Sequence, residues 1–114
     1  MPFIETKTSK EISLSQEAKM RRELGSAIEI FKGKSEAWLM LSFVGGARMA
    51  FKGETEPECA MISVELLGKA TSAEYDAFTK AVTEIASDAL GLAPDRIYVK
   101  YTEYAHWGYN GENF

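Results

Sequence analysis

The sequence predicts an α+β domain in which a β-α-β unit occurs twice, giving one four-stranded sheet with both helices on one face. Three observations carry this. Two segments repeat apolar residues at intervals of three and four, the spacing of a single helix face, and each opens with a capping box. Four apolar or alternating runs of strand length precede, separate and follow them. No Pro/Gly/Ser-rich linker divides the two halves, so residues 1–114 read as a single domain.

In chain order, Pro2 to Thr8 is a short strand in which Phe3 and Ile4 are followed by polar residues. Ser13 and Gln16 have capping-box spacing, and Met20, Leu24, Ala27, Ile28 and Phe31 form the apolar stripe of a helix expected to stop near Gly33. AWLMLSFV (Ala37 to Val44) is too short and too aromatic for a second helix and reads as a strand ended by Gly45 and Gly46. RMAF (Arg48 to Phe51) is expected to pair as a minor hairpin strand, and CAMISVELLG (Cys59 to Gly68) is the next long strand. Thr71 and Glu74 then open a second helix whose stripe is Tyr75, Phe78, Val82, Ile85, Ala86 and Ala89, closed by Gly91 and Pro94. RIYVKYTEY (Arg96 to Tyr104) alternates as a strand, and WGYNGENF suggests a short edge strand or rim rather than a helix.

Composition narrows the chemistry. The chain has 114 residues, 46% of them hydrophobic, and no segment approaches the roughly 18 apolar residues of a membrane span. Its net charge is -4, with 17 acidic residues against 13 scattered basic ones, which argues against a nucleic-acid partner. One cysteine, Cys59, cannot form an internal disulfide, and one cysteine with one histidine cannot furnish a zinc site of the usual kind. No signal peptide is recognisable, so a cytoplasmic setting is the default expectation. Cofactor-free chemistry or plain binding remains.

The N-terminal MPFIETKT supplies a candidate reactive group, because a small second residue such as Pro2 permits enzymatic removal of Met1 and leaves a secondary amine. In water such an amine is protonated at neutral pH. Burial and a neighbouring ammonium both disfavour its charged form, and an amine so placed becomes a general base that works near pH 7.

Several motifs together carry a resemblance: Met1-Pro2 with an apolar residue next, Gly33-Lys34 after the first helix, TEPECAMISVELLGK, APDRIYVKY, and Asn113-Phe114 at the end. In this order and spacing, and over essentially the full length, the chain resembles the macrophage migration inhibitory factor family of the tautomerase superfamily. The resemblance implies a homotrimer whose β-α-β-β-α-β subunits wrap their sheets into a central barrel, with three active sites at subunit boundaries. It implies keto-enol tautomerisation of α-keto acids such as phenylpyruvate and hydroxyphenylpyruvate, with Pro2 as the base and no cofactor. By position, Lys34 would bind the substrate carboxylate, the Leu67 amide would add a hydrogen bond, and Tyr98 would arrive from the neighbouring subunit. Trp38, Trp107, Tyr109 and Phe114 stand where the family lines its pocket.

Departures bear on specificity. Lys100 stands where vertebrate members have an asparagine, and alternation puts it on the same face as Tyr98; pointing into the pocket it would strengthen anion binding, pointing into the barrel it would be structural. Ile62 replaces the second cysteine of the vertebrate CxxC pair, so thiol-disulfide chemistry is unavailable and Cys59 reads as a strand residue. Trp107 replaces a smaller aliphatic residue and Tyr109 a tryptophan. His106 reads as a rim residue, since the mechanism leaves it no task. A non-enzymatic alternative also follows from the resemblance: a cytokine-like ligand of a cell-surface receptor, released by a non-classical route, with the pocket vestigial. Dehalogenation or decarboxylation of unsaturated acids is less well supported, because those members add pocket arginines and Arg48 and Arg96 are not placed to serve.

Overall fold

Alternation decides the sheet. In the computed structural model, which describes residues 1–114, β1 (Pro2–Thr8) buries Pro2, Ile4, Thr6 and Thr8 and turns Phe3, Glu5 and Lys7 to the other face. β3 (Ala60–Leu67) does the same with Ala60, Ile62, Val64 and Leu66. These two strands pair antiparallel at the centre, with Ile4 opposite Val64. β2 (Met40–Val44) runs parallel to β1 and β4 (Ile97–Tyr104) parallel to β3, so the sheet order is β2-β1-β3-β4. Each parallel pair needs a long crossover, and each crossover is a helix.

The helices are α1 (Leu14–Ala27) and α2 (Ser72–Leu90), and both capping boxes form as their sequences require, Ser13 with Gln16 and Thr71 with Glu74. α1 buries Met20 and Leu24, and α2 buries Phe78, Val82, Ala86, Ala89 and Leu90 against the inner face of the sheet. Phe31 joins the two layers, with its ring centroid 4.7 Å from that of Phe78. Gly91 ends α2 in the left-handed region at φ 69° and donates its N–H to the Ser87 carbonyl, a cap that glycine adopts without strain. No helix is long and apolar enough to cross a membrane.

The structure corrects the sequence reading at four boundaries. The α-helical part of α1 stops at Ala27, and a 3-10 turn over Ile28–Ile30 carries the chain on toward Gly33. Ala37 and Trp38 belong to a second 3-10 turn, Glu36–Trp38, so the strand expected over Ala37 to Val44 begins only at Met40. Arg48 to Phe51 is not a strand; Phe51 makes one isolated bridge to Glu54. Arg96 leaves that loop no need of a ladder, because its guanidinium donates to the carbonyls of Phe51 and Pro57. Cys59 lies just ahead of β3, buried, with its carbonyl taken by the Thr8 hydroxyl at 2.7 Å.

The end of the chain folds as a small hairpin, β5 (Gly108–Tyr109) with β6 (Glu112–Asn113). Asn110 and Gly111 turn between them at φ 53° and 83°, the positive values that a two-residue hairpin loop demands.

Candidate active site

Pro2 opens β1, buried and opposite Leu66, at the end of the sheet where β3 also stops. Around it lies a cleft of about 490 Å³ walled by Phe3, Trp38, Leu39, Met40, Trp107 and Tyr109, with Glu65 as its only acidic side chain. A larger depression of about 790 Å³ runs along α2 between Asp76 and Asp88 and has no hydrophobic lining. Small-molecule pockets combine apolar walls with a few polar groups, and of these two depressions the one at Pro2 has both.

Local structure holds the cationic end of the site in place. Gly33 turns at φ 82°, and the Lys34 N–H donates to the Phe31 carbonyl at 3.0 Å. Two residues before Lys34, the Lys32 N–H donates to Glu74 Oε2 at 2.7 Å, while Glu74 Oε1 completes the cap of α2. The loop bearing Lys34 is thus pinned to the start of a helix. From there Lys34 Nζ reaches across to the Leu67 carbonyl at 2.8 Å.

Leu67 is fixed equally firmly. Gly68 turns away at φ 85°, its N–H donates to the Tyr104 carbonyl at 2.8 Å, and the Ala70 N–H donates to Glu103 at 3.1 Å. The Leu67 N–H then donates to the Met1 carbonyl at 3.0 Å. Met1 therefore occupies the meeting point of two donors, the Leu67 amide and the Lys34 ammonium. Its own amine is held down to about 6 from an ordinary 8.0, first by burial, then by the Lys34 charge and hydrogen bond. An amine at this spot is neutral near pH 7.

The aromatic wall has definite geometry. Trp38 is displayed by its 3-10 turn, edge-on to Tyr109 at 5.1 Å and 89° and to Phe114 at 6.0 Å. Phe114 is anchored by its N–H to the Trp107 carbonyl at 3.0 Å. Trp107 in turn meets the Tyr104 ring edge-on at 5.8 Å. These rings close one side of the cleft.

Of the residues singled out from the sequence, Pro2, Trp38, Trp107 and Tyr109 line the cleft, Lys34 and Leu67 lie outside its lining but both reach Met1, which lines it, and Phe114 buttresses its rim. Tyr98 and Lys100 stand apart within one chain. Both lie on the open face of the sheet, Tyr98 against Phe51 at 4.6 Å and Lys100 beside Glu5, Ser63 and Thr102. His106 is exposed and outside the cleft. Phe3, Met40 and Glu65 were missed, although alternation along β1 and β3 puts Phe3 and Glu65 on one face and their register sets them side by side.

The family model described as Macrophage migration inhibitory factor (MIF) matches residues 1–114. The macrophage migration inhibitory factor of Mus musculus is 31% identical over 94 residues, covering 81% of this chain and 81% of that protein. Among solved structures, Leishmania major MIF2 superposes with a TM-score of 0.93 at 28% identity, over 100% of this chain and 97% of that one. The macrophage migration inhibitory factor homologue from Prochlorococcus marinus gives a TM-score of 0.80 at 26% identity, over 98% of each chain. With an α+β sheet and two helices that superpose on those of these relatives, and a family match over its whole length, the chain belongs to the macrophage migration inhibitory factor family.

Proposed function

We propose that the protein is a keto-enol tautomerase of α-keto acids of the phenylpyruvate type, acting through the Pro2 amine after removal of Met1. The observation that carries this reading is the amine at the mouth of β1, kept below its ordinary pKa by burial and by Lys34 at the end of an apolar cleft. Removing Met1 moves the free amine one residue inward, to a position already buried, where desolvation acts more strongly. It also releases the Leu67 N–H and the Lys34 ammonium from Met1, two donors suited to a carboxylate.

With the substrate carboxylate on those donors, the Pro2 nitrogen takes a proton from C3 and the C–H electron pair becomes the C2=C3 bond. Negative charge develops on the C2 oxygen, stabilised by the Lys34 cation, and the Pro2 ammonium hands its proton to that oxygen, giving the enol and returning the amine to its neutral form. Trp38, Trp107 and Tyr109 exclude water and seat the ring. No step needs a cofactor.

In this reading the working unit is a homotrimer with Tyr98 of each subunit reaching the next subunit's cleft. The open sheet face supports it: Met40 is 66% exposed and Tyr98 57% exposed in the single chain, large apolar area that association would cover. On that face Lys100 shares a shallow pocket with Glu5 and Glu65, which supports a barrel-facing role for it rather than a pocket role. A second reading, a receptor ligand that keeps the pocket as a vestige, is favoured by the 31% identity to the Mus musculus factor. Mass spectrometry of the N-terminus, coupled to an ultraviolet assay of phenylpyruvate tautomerisation with Pro2→Gly alongside, separates the two. Loss of methionine with activity that collapses in the glycine variant supports the enzyme; a free Pro2 without turnover supports the ligand.

A further inference from the structure

The Pro2 nitrogen carries an acyl group, the Met1 carbonyl, and the surroundings of that group are fully defined. Its carbon is trigonal and conjugated with the nitrogen, as in any peptide. Its oxygen accepts the Leu67 N–H at 3.0 Å. On its other side the Met1 amine is hydrogen-bonded to Lys34, whose ammonium is aimed by the Leu67 carbonyl at 2.8 Å. Met1, Pro2, Lys34 and Leu67 all belong to one chain, so this seat is complete within a subunit. Once Met1 is removed, the same seat adjoins a secondary amine.

A molecule that refills the seat must put a trigonal carbon on the nitrogen, an oxygen on the Leu67 N–H and a negative charge on the side of Lys34. Carbon dioxide meets all three demands. We propose that the processed protein has a reversible modification site at Pro2, where carbon dioxide adds to the amine as a carbamate held by the Leu67 N–H and the Lys34 ammonium. The nitrogen lone pair forms the N–C bond, one C=O electron pair of carbon dioxide moves onto oxygen as the carboxylate charge, and the N–H proton leaves to water. Reprotonation of the nitrogen expels carbon dioxide again, and nothing is oxidised or reduced. Only a neutral amine adds in this way, and burial and Lys34 both favour that form at this spot. The apolar walls formed by Phe3, Trp38 and Leu39 admit neutral carbon dioxide more readily than hydrated bicarbonate. A carbamate nitrogen is no longer a base, and its carboxylate takes the donors that the proposed mechanism gives to substrate. Carbon dioxide therefore inhibits in competition with α-keto acids.

The inference shares with the tautomerase reading the free Pro2 amine and nothing of the substrate, so the two fail separately. Protein labelled with 15N-proline, freed of Met1 by methionine aminopeptidase and checked by mass, is equilibrated with 13C-bicarbonate and its dissolved carbon dioxide. The expected result is a 13C carbamate resonance split by one-bond coupling to 15N. Only Pro2 can give it, because Pro57 and Pro94 are amides and lysine carbamates carry no label. In Lys34→Met, compared at a pH above the amine midpoint of each protein, the binding constant for carbon dioxide is expected to fall about tenfold or more, whereas Lys34→Arg keeps most of it. No coupled signal in processed protein, or equal constants in the unaltered protein and Lys34→Met, would overturn the inference. Turnover of phenylpyruvate in buffer free of carbon dioxide tests the tautomerase reading alone. Activity without the carbamate removes the inference and keeps the enzyme; the carbamate without activity does the reverse. Where both are present, dissolved carbon dioxide at fixed pH and ionic strength is expected to raise the apparent KM and leave kcat unchanged.

Discussion

Lys34 and Leu67, 33 positions apart in the chain, are joined by a 2.8 Å hydrogen bond from the lysine ammonium to the leucine carbonyl. The bond aims the ammonium at the spot where the Leu67 N–H also points. In Lys34→Met both the anion contact and the charge beside the amine disappear. The expected result is a rise in KM for phenylpyruvate of about 10- to 100-fold, the range for a lost hydrogen bond to a charged group. A second effect is expected with it, because Lys34 lowers the pKa of the Met1 amine through both charge and hydrogen bond, and the Pro2 amine of the processed protein lies next to that spot. Without Lys34 that pKa rises, less amine is neutral at a given pH, and the acid limb of the kcat/KM profile moves to higher pH.

The Met1 carbonyl takes the Leu67 N–H, and the Met1 amine sits against Lys34. Preparations that retain Met1 are therefore expected to lack turnover, since the base is an amide nitrogen and the carboxylate donors are occupied. Digestion with methionine aminopeptidase is expected to restore activity in proportion to the fraction processed, read by mass and by assay on the same aliquots.

Trp38 stands 48% exposed on its 3-10 turn and touches Tyr109 and Phe114 by ring edges. In Trp38→Ala, kcat/KM for phenylpyruvate is expected to fall by about tenfold, the scale of one aromatic contact with its buried area. A small aliphatic α-keto acid, which does not reach that wall, is expected to lose much less.

Gly91 caps α2 at φ 69°, and the only atom near a Cβ built there is the flexible end of Lys10 at 3.3 Å. The cost of Gly91→Ala is therefore conformational. Forcing an L-residue into the left-handed region is expected to destabilise the fold by about 1 kcal/mol and lower Tm by about 4–8 °C, measured by calorimetry, with the KM of the site unchanged.

Periodicity made most of the fold legible. The stripes of both helices, their Ser13 and Thr71 caps and the long central strand Ala60–Leu67 all appear in the structure within a few residues of expectation. Short elements were less legible because local contacts compete with pattern. Ala37 and Trp38 are apolar and strand-like by composition, yet they turn, with the Leu39 N–H donating to the Glu36 carbonyl at 3.1 Å. Arg48 to Phe51 has strand-like letters, but the buried Arg96 donates to the Phe51 carbonyl in place of a ladder partner. The terminal hairpin carried its own signal in Asn110-Gly111, the dipeptide that tight hairpin loops prefer.

At the site, Pro2 was legible from the Met1-Pro2 start itself, whereas Lys34 and Leu67 came from the family likeness, since nothing in their spacing along the chain says that they meet Pro2. Glu65 was legible in principle. Two residues before Leu67 on an alternating strand, it had to share that face, but the strand's pairing with Phe3 was needed to place it in the cleft.

The central claim is that the Pro2 amine is neutral near pH 7 because burial and Lys34 depress its pKa. Protein labelled with 15N-proline contains three prolines, and Pro57 and Pro94 are tertiary amides that do not titrate, so the Pro2 signal reports the amine alone. A pH titration of that signal by NMR is expected to show a midpoint well below the ordinary α-amino value of about 8, and a higher midpoint in Lys34→Met. A midpoint at or above about 8 in the processed protein, unmoved by the lysine substitution, would contradict the account.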